Sequence, residues 1–191
     1  MTTVEMPSAM PPGLKGVAVT DTQIGDVRGL EGFYHYRQYS ATELAEKRTL
    51  EEVWRLLLDG SLPEDPTARR RFEREIRAQR AIPDQVRHLL PGIAATVRTA
   101  GPLDGLRTAL SALGAAEGFR PLWDVGAEER RQNLIRLIAV TPSLVAAVHR
   151  VSQGLEPIDP DPDLDHAANY LWMVAGTRPD PVAARALEQY L

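Results

Sequence analysis

Four histidines, His35, His88, His149 and His166, are the side chains best suited to moving protons near neutral pH. They are scattered along the chain. No two stand four apart around a glutamate, the spacing that presents paired imidazoles to zinc. Each therefore reads as a hydrogen-bonded or surface histidine: His149 follows an apolar helix face, and His166 sits beside a helix cap. The chain has no cysteine, which removes disulfides, thiolate metal sites and thiol nucleophiles together. There is no G-x-S-x-G elbow, phosphate-binding loop or dinucleotide fingerprint. The acidic run DPDPDLD lacks the glycine and distal glutamate of a calcium loop, so it reads as a connector with a helix cap. Residue types and spacing assign no catalytic, cofactor-binding or metal-binding residue.

The densest charge lies in ARRRFEREIRAQR, which carries six arginines. Such a run could meet phosphates or a membrane surface. However, Glu73 with Arg77 and Arg71 with Glu75 are spaced for ion pairing along a helix, and Phe72 and Ile76 form an ordinary inner stripe. A solvated, ion-paired face is the reading. Across the chain, 22 basic residues stand against 26 acidic ones, a formal charge of −4, so no general attraction to nucleic acid is expected. No apolar run approaching the ~20 residues of a bilayer span is read, and the first residues carry no export signal. A cytoplasmic protein without a membrane or nucleic-acid partner is expected.

The elements follow from periodicity and punctuation. Residues 1–12 read as a flexible leader, and residues 13–191 as one unit large enough to bury its own core. From Leu14 to Tyr39, β-type residues broken by glycine predict a small hairpin or meander with turns near Asp21, Gly25 and Gly29. Helices dominate from Ser40 onward. Ser40 with Glu43 and Thr49 with Glu52 fit capping boxes, the second opening a helix with Val53, Trp54, Leu57 and Leu58 on one face and Gly60 at its end. An arginine-rich helix is predicted over roughly Thr67 to Arg80. Another begins at Pro102 and ends at Gly114, with Leu103, Leu106, Leu110 and Leu113 in line beside the small Ala109, Ser111 and Ala112.

The longest helix should run from about Ala127 to Gln153, kinked near Thr141 by Pro142. EPIDPDPDLD then forms a stiff connector, and Asp163 is positioned to cap a helix ending at Gly176. A last helix starts at Asp180 and stops on its apolar stripe at Leu191, which predicts that the polypeptide once continued or that another chain covers the end.

Three stretches carry a resemblance. GLKGVAVTDTQIGDVRG…FYHYRQYSATELAEKRTLEEVWRLLLDGSLP resembles the opening of citrate synthases, GPLDGLRTALSALG resembles their "HPMD-LRTAVSALG" helix, and RLIAVTPSLVAAVHR…HAANYLWMVAGTRPDPVAARALEQYL is similar to the long helix and the helix pair that follows it. Together they run from about Pro12 to Leu191 in the family's order. The resemblance implies a mainly α fold: the N-terminal part of a multi-helical large domain, with a small β element over 14–39 and helices over 40–191.

It also implies the family's chemistry, condensation of an acyl-CoA (usually acetyl-CoA) with a 2-oxo acid (usually oxaloacetate). The family's histidine, aspartate and arginine motifs would all lie beyond Leu191, so none is carried over. The expected role is therefore a scaffold and dimerisation half. Its partner would be a second polypeptide with the catalytic half, or further copies of itself. No cofactor would be tightly bound, and acetyl-CoA would be a substrate of the completed enzyme. The alternative is a non-catalytic interaction protein or stranded fragment. A subunit interface is implied on Leu103, Leu106, Ala109, Leu110, Ala112 and Leu113, with an ordinary intramolecular helix contact equally compatible. Two departures stand out: Gly101 replaces a frequent histidine, and Gln38 replaces the glycine of a "YRGY" segment.

Overall fold

The computed structural model describes Gly13 and residues 20–191, and for residues 98–100 the backbone alone. The leader expected over 1–12 and the β-type residues 14–19 lie outside the described residues. A three-stranded antiparallel meander comes first: β1 (Gly25–Arg28), β2 (Phe33–Tyr36) and the two-residue β3 (Tyr39–Ser40), in that order across the sheet. Gly25, expected in a turn, lies inside β1 instead. There an added Cβ would come within 2.6 Å of the His35 carbonyl oxygen, so the close strand approach requires glycine. The special backbone of the "YRGY" segment falls on Arg37, with φ 51°, and not on Gln38. Arg37 is held there by donating from Nε to the Leu56 carbonyl at 2.8 Å and from Nη2 to that of Leu57 at 2.9 Å.

Nine α-helices follow among the described residues: α1 (Ala41–Lys47), α2 (Leu50–Asp59), α3 (Pro66–Ala78), α4 (Asp84–Arg87), α5 (Leu90–Ala100), α6 (Pro102–Ala116), α7 (Ala127–Ser152), α8 (His166–Ala175) and α9 (Pro181–Tyr190). The Thr49–Glu52 capping box is present at α2, and Gly60 closes that helix in the left-handed conformation. The box expected at Ser40 is not formed; Glu43 pairs with Lys47 instead, at 3.3 Å. Asp165, not Asp163, caps α8 by accepting from the Ala168 N–H. α6 continues past Gly114 to Ala116. α5 has no counterpart among the helices expected from the sequence. Pro91 falls in its first turn, where no donor is lost, and Ile93 and Ala94 are buried.

α7 runs as a single helix through Pro142. The proline leaves the Ile138 carbonyl without its ladder donor, while the Thr141 hydroxyl donates to the Leu137 carbonyl at 2.6 Å. Contrary to the sequence reading, an 18-residue window of α7 has a mean hydropathy of 1.5 and is long and apolar enough to cross a membrane. Its position explains that composition. Val140, Leu144 and Val148 pack with Val86, Leu90, Ala109 and Leu113, while Ile135 and Ala139 pack with Phe72 and Ile76. α7 is thus the helix shared by two apolar clusters, and it is apolar on several sides because neighbours cover several sides. On α2 the fully buried residue is Leu56; Val53, Trp54, Leu57 and Leu58 are half-buried around it.

Candidate functional site

The six positions expected at a subunit interface divide between the inside and the outside of the molecule. Ala109 and Leu113 lie wholly in the core against α7 and are not available to a second chain. Leu106, Leu110 and Ala112 are half-buried at the edge of that core, and Leu103 is 79% exposed. The residue that lets helices approach is Gly105: an added Cβ would overlap Val97 Cγ2 and stand 3.1 Å from Val148 Cγ1.

The four histidines do not converge. His35 lies in β2 beside Phe33, with ring centroids 5.8 Å apart, and His88 is exposed at the end of α4. His149 is exposed on α7 and borders an apolar cavity of about 270 Å³ lined by Val97, Leu106, Val145, Tyr170 and Val174. Among the described residues, no carboxylate lines that cavity to act with it. Among the described residues no group of three histidine or acidic side chains could hold a metal ion.

The concentrated polar chemistry lies in the interior. Arg80 is 1% exposed, Glu51 3% and His166 4%. Glu51 Oε1 accepts from the His166 backbone N–H at 3.0 Å and stands 3.6 Å from Arg80 Nη2. Arg80 Nη1 donates to the Leu164 carbonyl at 2.8 Å, which fixes the connector ahead of α8. The His166 ring meets Trp54 edge-on, with centroids 4.4 Å apart. Burial raises the Glu51 carboxyl above its ordinary range, partly offset by backbone donors and by Arg80. Burial, reinforced by the Arg80 charge, pushes the His166 imidazole down to about 3, so the ring is neutral at physiological pH. A neutral, buried ring whose Nδ1 has no hydrogen-bond partner among the described residues is a packing element joining α2 to α8. This cluster pins helices; it has no access for a substrate. No local signal announces it, because Glu51, Arg80 and His166 are far apart in sequence.

The arginine-rich α3 pairs differently from the helical spacing expected. Glu73 pairs with Arg69 at 3.4 Å, and Glu75 with Arg131 of α7 at 2.7 Å. Arg131 also holds Asp59 at 2.6 Å, so one guanidinium ties α2, α3 and α7 together. Arg77 donates to the Pro162 carbonyl at 3.0 Å. Phe72 and Ile76 are buried, as their spacing implied.

The family profile described as "Citrate synthase, C-terminal domain" matches residues 13–191. The chain belongs to the citrate synthase family. Citrate synthase from Acidithiobacillus ferridurans is 37% identical over 94% of this chain, and the match takes in 46% of that protein. Citrate/2-methylcitrate synthase from Bacillus subtilis is 32% identical over 94% of this chain and 47% of its own length. The crystal structure of citrate synthase from Pyrobaculum aerophilum superimposes with a TM-score of 0.80 at 29% identity, covering 100% of this chain and 50% of that one. The mainly helical fold with its small β element is thus a citrate synthase fold. The chain spans about half the length of the curated relatives it matches.

Proposed function

We propose that this chain is the scaffold half of a citrate synthase-type enzyme that condenses an acyl-CoA, in the first instance acetyl-CoA, with a 2-oxo acid such as oxaloacetate. The catalytic residues then come from another polypeptide. The observation that carries this reading is the match itself, which extends over 94% of this chain but only 46% of a full citrate synthase. The order of the three resembling stretches supports placing the chain in the N-terminal half. Proton abstraction from a thioester methyl group needs a base and an electrophile converging on one substrate atom. His149 borders a cavity alone, and His166 is sealed. Cytoplasmic location, acetyl-CoA as a substrate and the absence of a tightly held cofactor belong to the same proposal. The relatives carry both citrate and 2-methylcitrate synthase names, so acetyl-CoA and propionyl-CoA are the acyl donors to compare. The test is citrate formation by the purified chain with and without a polypeptide matching the remaining half. A mixture that forms neither complex nor citrate defeats the proposal.

A second reading, a non-catalytic interaction protein that oligomerises or engages a full-length relative, is favoured by the chain's own core. Leu56, Ile76, Val86, Leu113, Ile135 and Leu144 are completely buried without help from another polypeptide. Circular dichroism and light scattering of the isolated chain separate the two readings. A stable oligomer of the chain alone favours the interaction protein, whereas a folded monomer favours the dependent half.

A further inference from the structure

We infer that the cavity between α5, α6, α7 and α8 is a binding site for a small neutral molecule with an apolar body and one hydroxyl group. Its walls come from all four helices: Val97 of α5, Leu106 of α6, Val145 and Val148 of α7, and Val174 of α8. Val148 is 3% exposed and belongs to the core with Leu144 and Ala109, while Val97 and Leu106 pack against that core. Gly105 sets the spacing, because its missing side chain lets α6 lean on Val97 and Val148. The walls are thus part of the molecule's main core, and the cavity is preformed.

The lining has two sides of different chemistry. The α5–α6 side carries Val97, Pro102 and Leu106 and, among the described residues, no polar side chain. The α7–α8 side adds His149, Ser152 and Tyr170 to its valines. His149 and Ser152 stand three apart, so they share a face of α7. The Ser152 hydroxyl donates to the His149 carbonyl at 2.7 Å, which leaves its oxygen lone pairs able to accept. The His149 imidazole and the Tyr170 hydroxyl are both donors. A ligand hydroxyl donates and accepts at once, so it matches this set. Among the described residues no acidic side chain, arginine or lysine lines the cavity, so a charged ligand would lose its hydration without a fixed counter-charge. Volume sets the size of the apolar body. The cavity measures about 270 Å³, and a dry apolar cavity of roughly 150 Å³ takes benzene, so one substituted ring fits. The inference is independent of the two-part reading, since the four helices around the cavity all lie within this chain.

The experiment titrates the full chain with phenol and with toluene, which differ only in a hydroxyl against a methyl group, and follows the valine methyl signals by carbon–proton NMR. Three forms are compared: wild type, Tyr170→Phe, which removes one hydroxyl and keeps the ring, and Val145→Phe, which fills the cavity from α7. Circular dichroism checks that each form is folded. The expected result is saturable shifts at Val97, Val148 and Val174 with both probes in the wild type. Tyr170→Phe should leave toluene unchanged and weaken phenol by about 2- to 10-fold, the worth of one neutral hydrogen bond. Val145→Phe should abolish both. No saturable shift in the wild type overturns the site, and so do shifts that persist in a folded Val145→Phe. Phenol affinity unmoved by Tyr170→Phe, or hexanoate bound as tightly as phenol, overturns the assignment of a neutral hydroxyl ligand. If light scattering shows the probes dispersing an oligomer of this chain, the cavity is a contact between copies and the inference fails.

Discussion

At the scale of single residues, two positions carry the sharpest consequences. His166 is neutral because burial and Arg80 hold its imidazole down to about 3, against an ordinary value of 6.5. Below pH 6.5 the unfolded chain takes up a proton that the folded chain refuses. Stability from this group is therefore complete above pH 6.5 and is lost as pH falls from there toward 3, at up to about 1.4 kcal/mol per pH unit. Glu51 acts in the opposite sense: its raised carboxyl is easier to bury protonated, so its contribution is lost as pH rises through the folded value. Urea titrations between pH 7 and 4 should show a steep acid-side loss in the wild type and a flatter profile in His166→Gln. The second position is Gly105, whose missing side chain lets α6 touch Val97 and Val148. Alanine is the better helix former by about 1 kcal/mol, yet overpacking a closed core costs roughly 1–3 kcal/mol. The steric term should win, and Gly105→Ala should lower the urea midpoint; a rise would show that the contact yields.

At the scale of elements, the recurring device is an arginine that crosses to another element and satisfies its carbonyls. Arg37 does so at the end of α2, and Arg150 serves Glu156 and Val174, with bonds of 2.6 and 3.1 Å. Arg185 serves Ala45 and Glu46 while pairing with Glu188. Arg185→Ala should detach α9 from the α1–α2 joint, costing about 1–3 kcal/mol and raising proteolytic sensitivity near the C-terminal end, which limited proteolysis with mass spectrometry reads directly. These links also explain what could be read beforehand. The Thr49–Glu52 box was legible because both partners lie within one turn. So were the ends of α2, α8 and α9, marked by Gly60, Gly176 and the Asp180-Pro181 pair. By contrast, Glu75 takes Arg131 over the nearby Arg71, a choice made by tertiary approach that no helical spacing shows. α5 was hidden for the same reason: its stability comes from burying Leu90 and Ile93 against α6 and α7, not from its own caps. Of the expected interface, the apolar line on α6 was visible, but its division into a core side and an outer side needed the position of α7.

At the scale of the whole molecule, the question is whether half of a citrate synthase length behaves as one cooperative body. α7 answers it, because the two apolar clusters are not separate modules. Ile135 and Ala139 serve one, Val140 and Leu144 the other, and they follow one another along the same helix. Opening either cluster exposes a flank of α7 and weakens the other. The buried Glu51–Arg80 pair adds a second tie, joining the first turn of α2 to the end of the α3 segment and, through Leu164, to α8. The isolated chain should therefore unfold in a single urea transition. Far-ultraviolet circular dichroism should report the helices as a whole, and tryptophan fluorescence should report chiefly Trp54, packed against the α3–α7 cluster, and Trp172, whose indole donates to the Asp159 carbonyl at 3.2 Å. Trp123 is almost fully exposed and should contribute little change. Coincident curves from the two probes mean one cooperative unit. Separated curves, with the fluorescence change first, would show that the α3–α7 cluster opens by itself and that the framework needs the remaining half of the fold to close it.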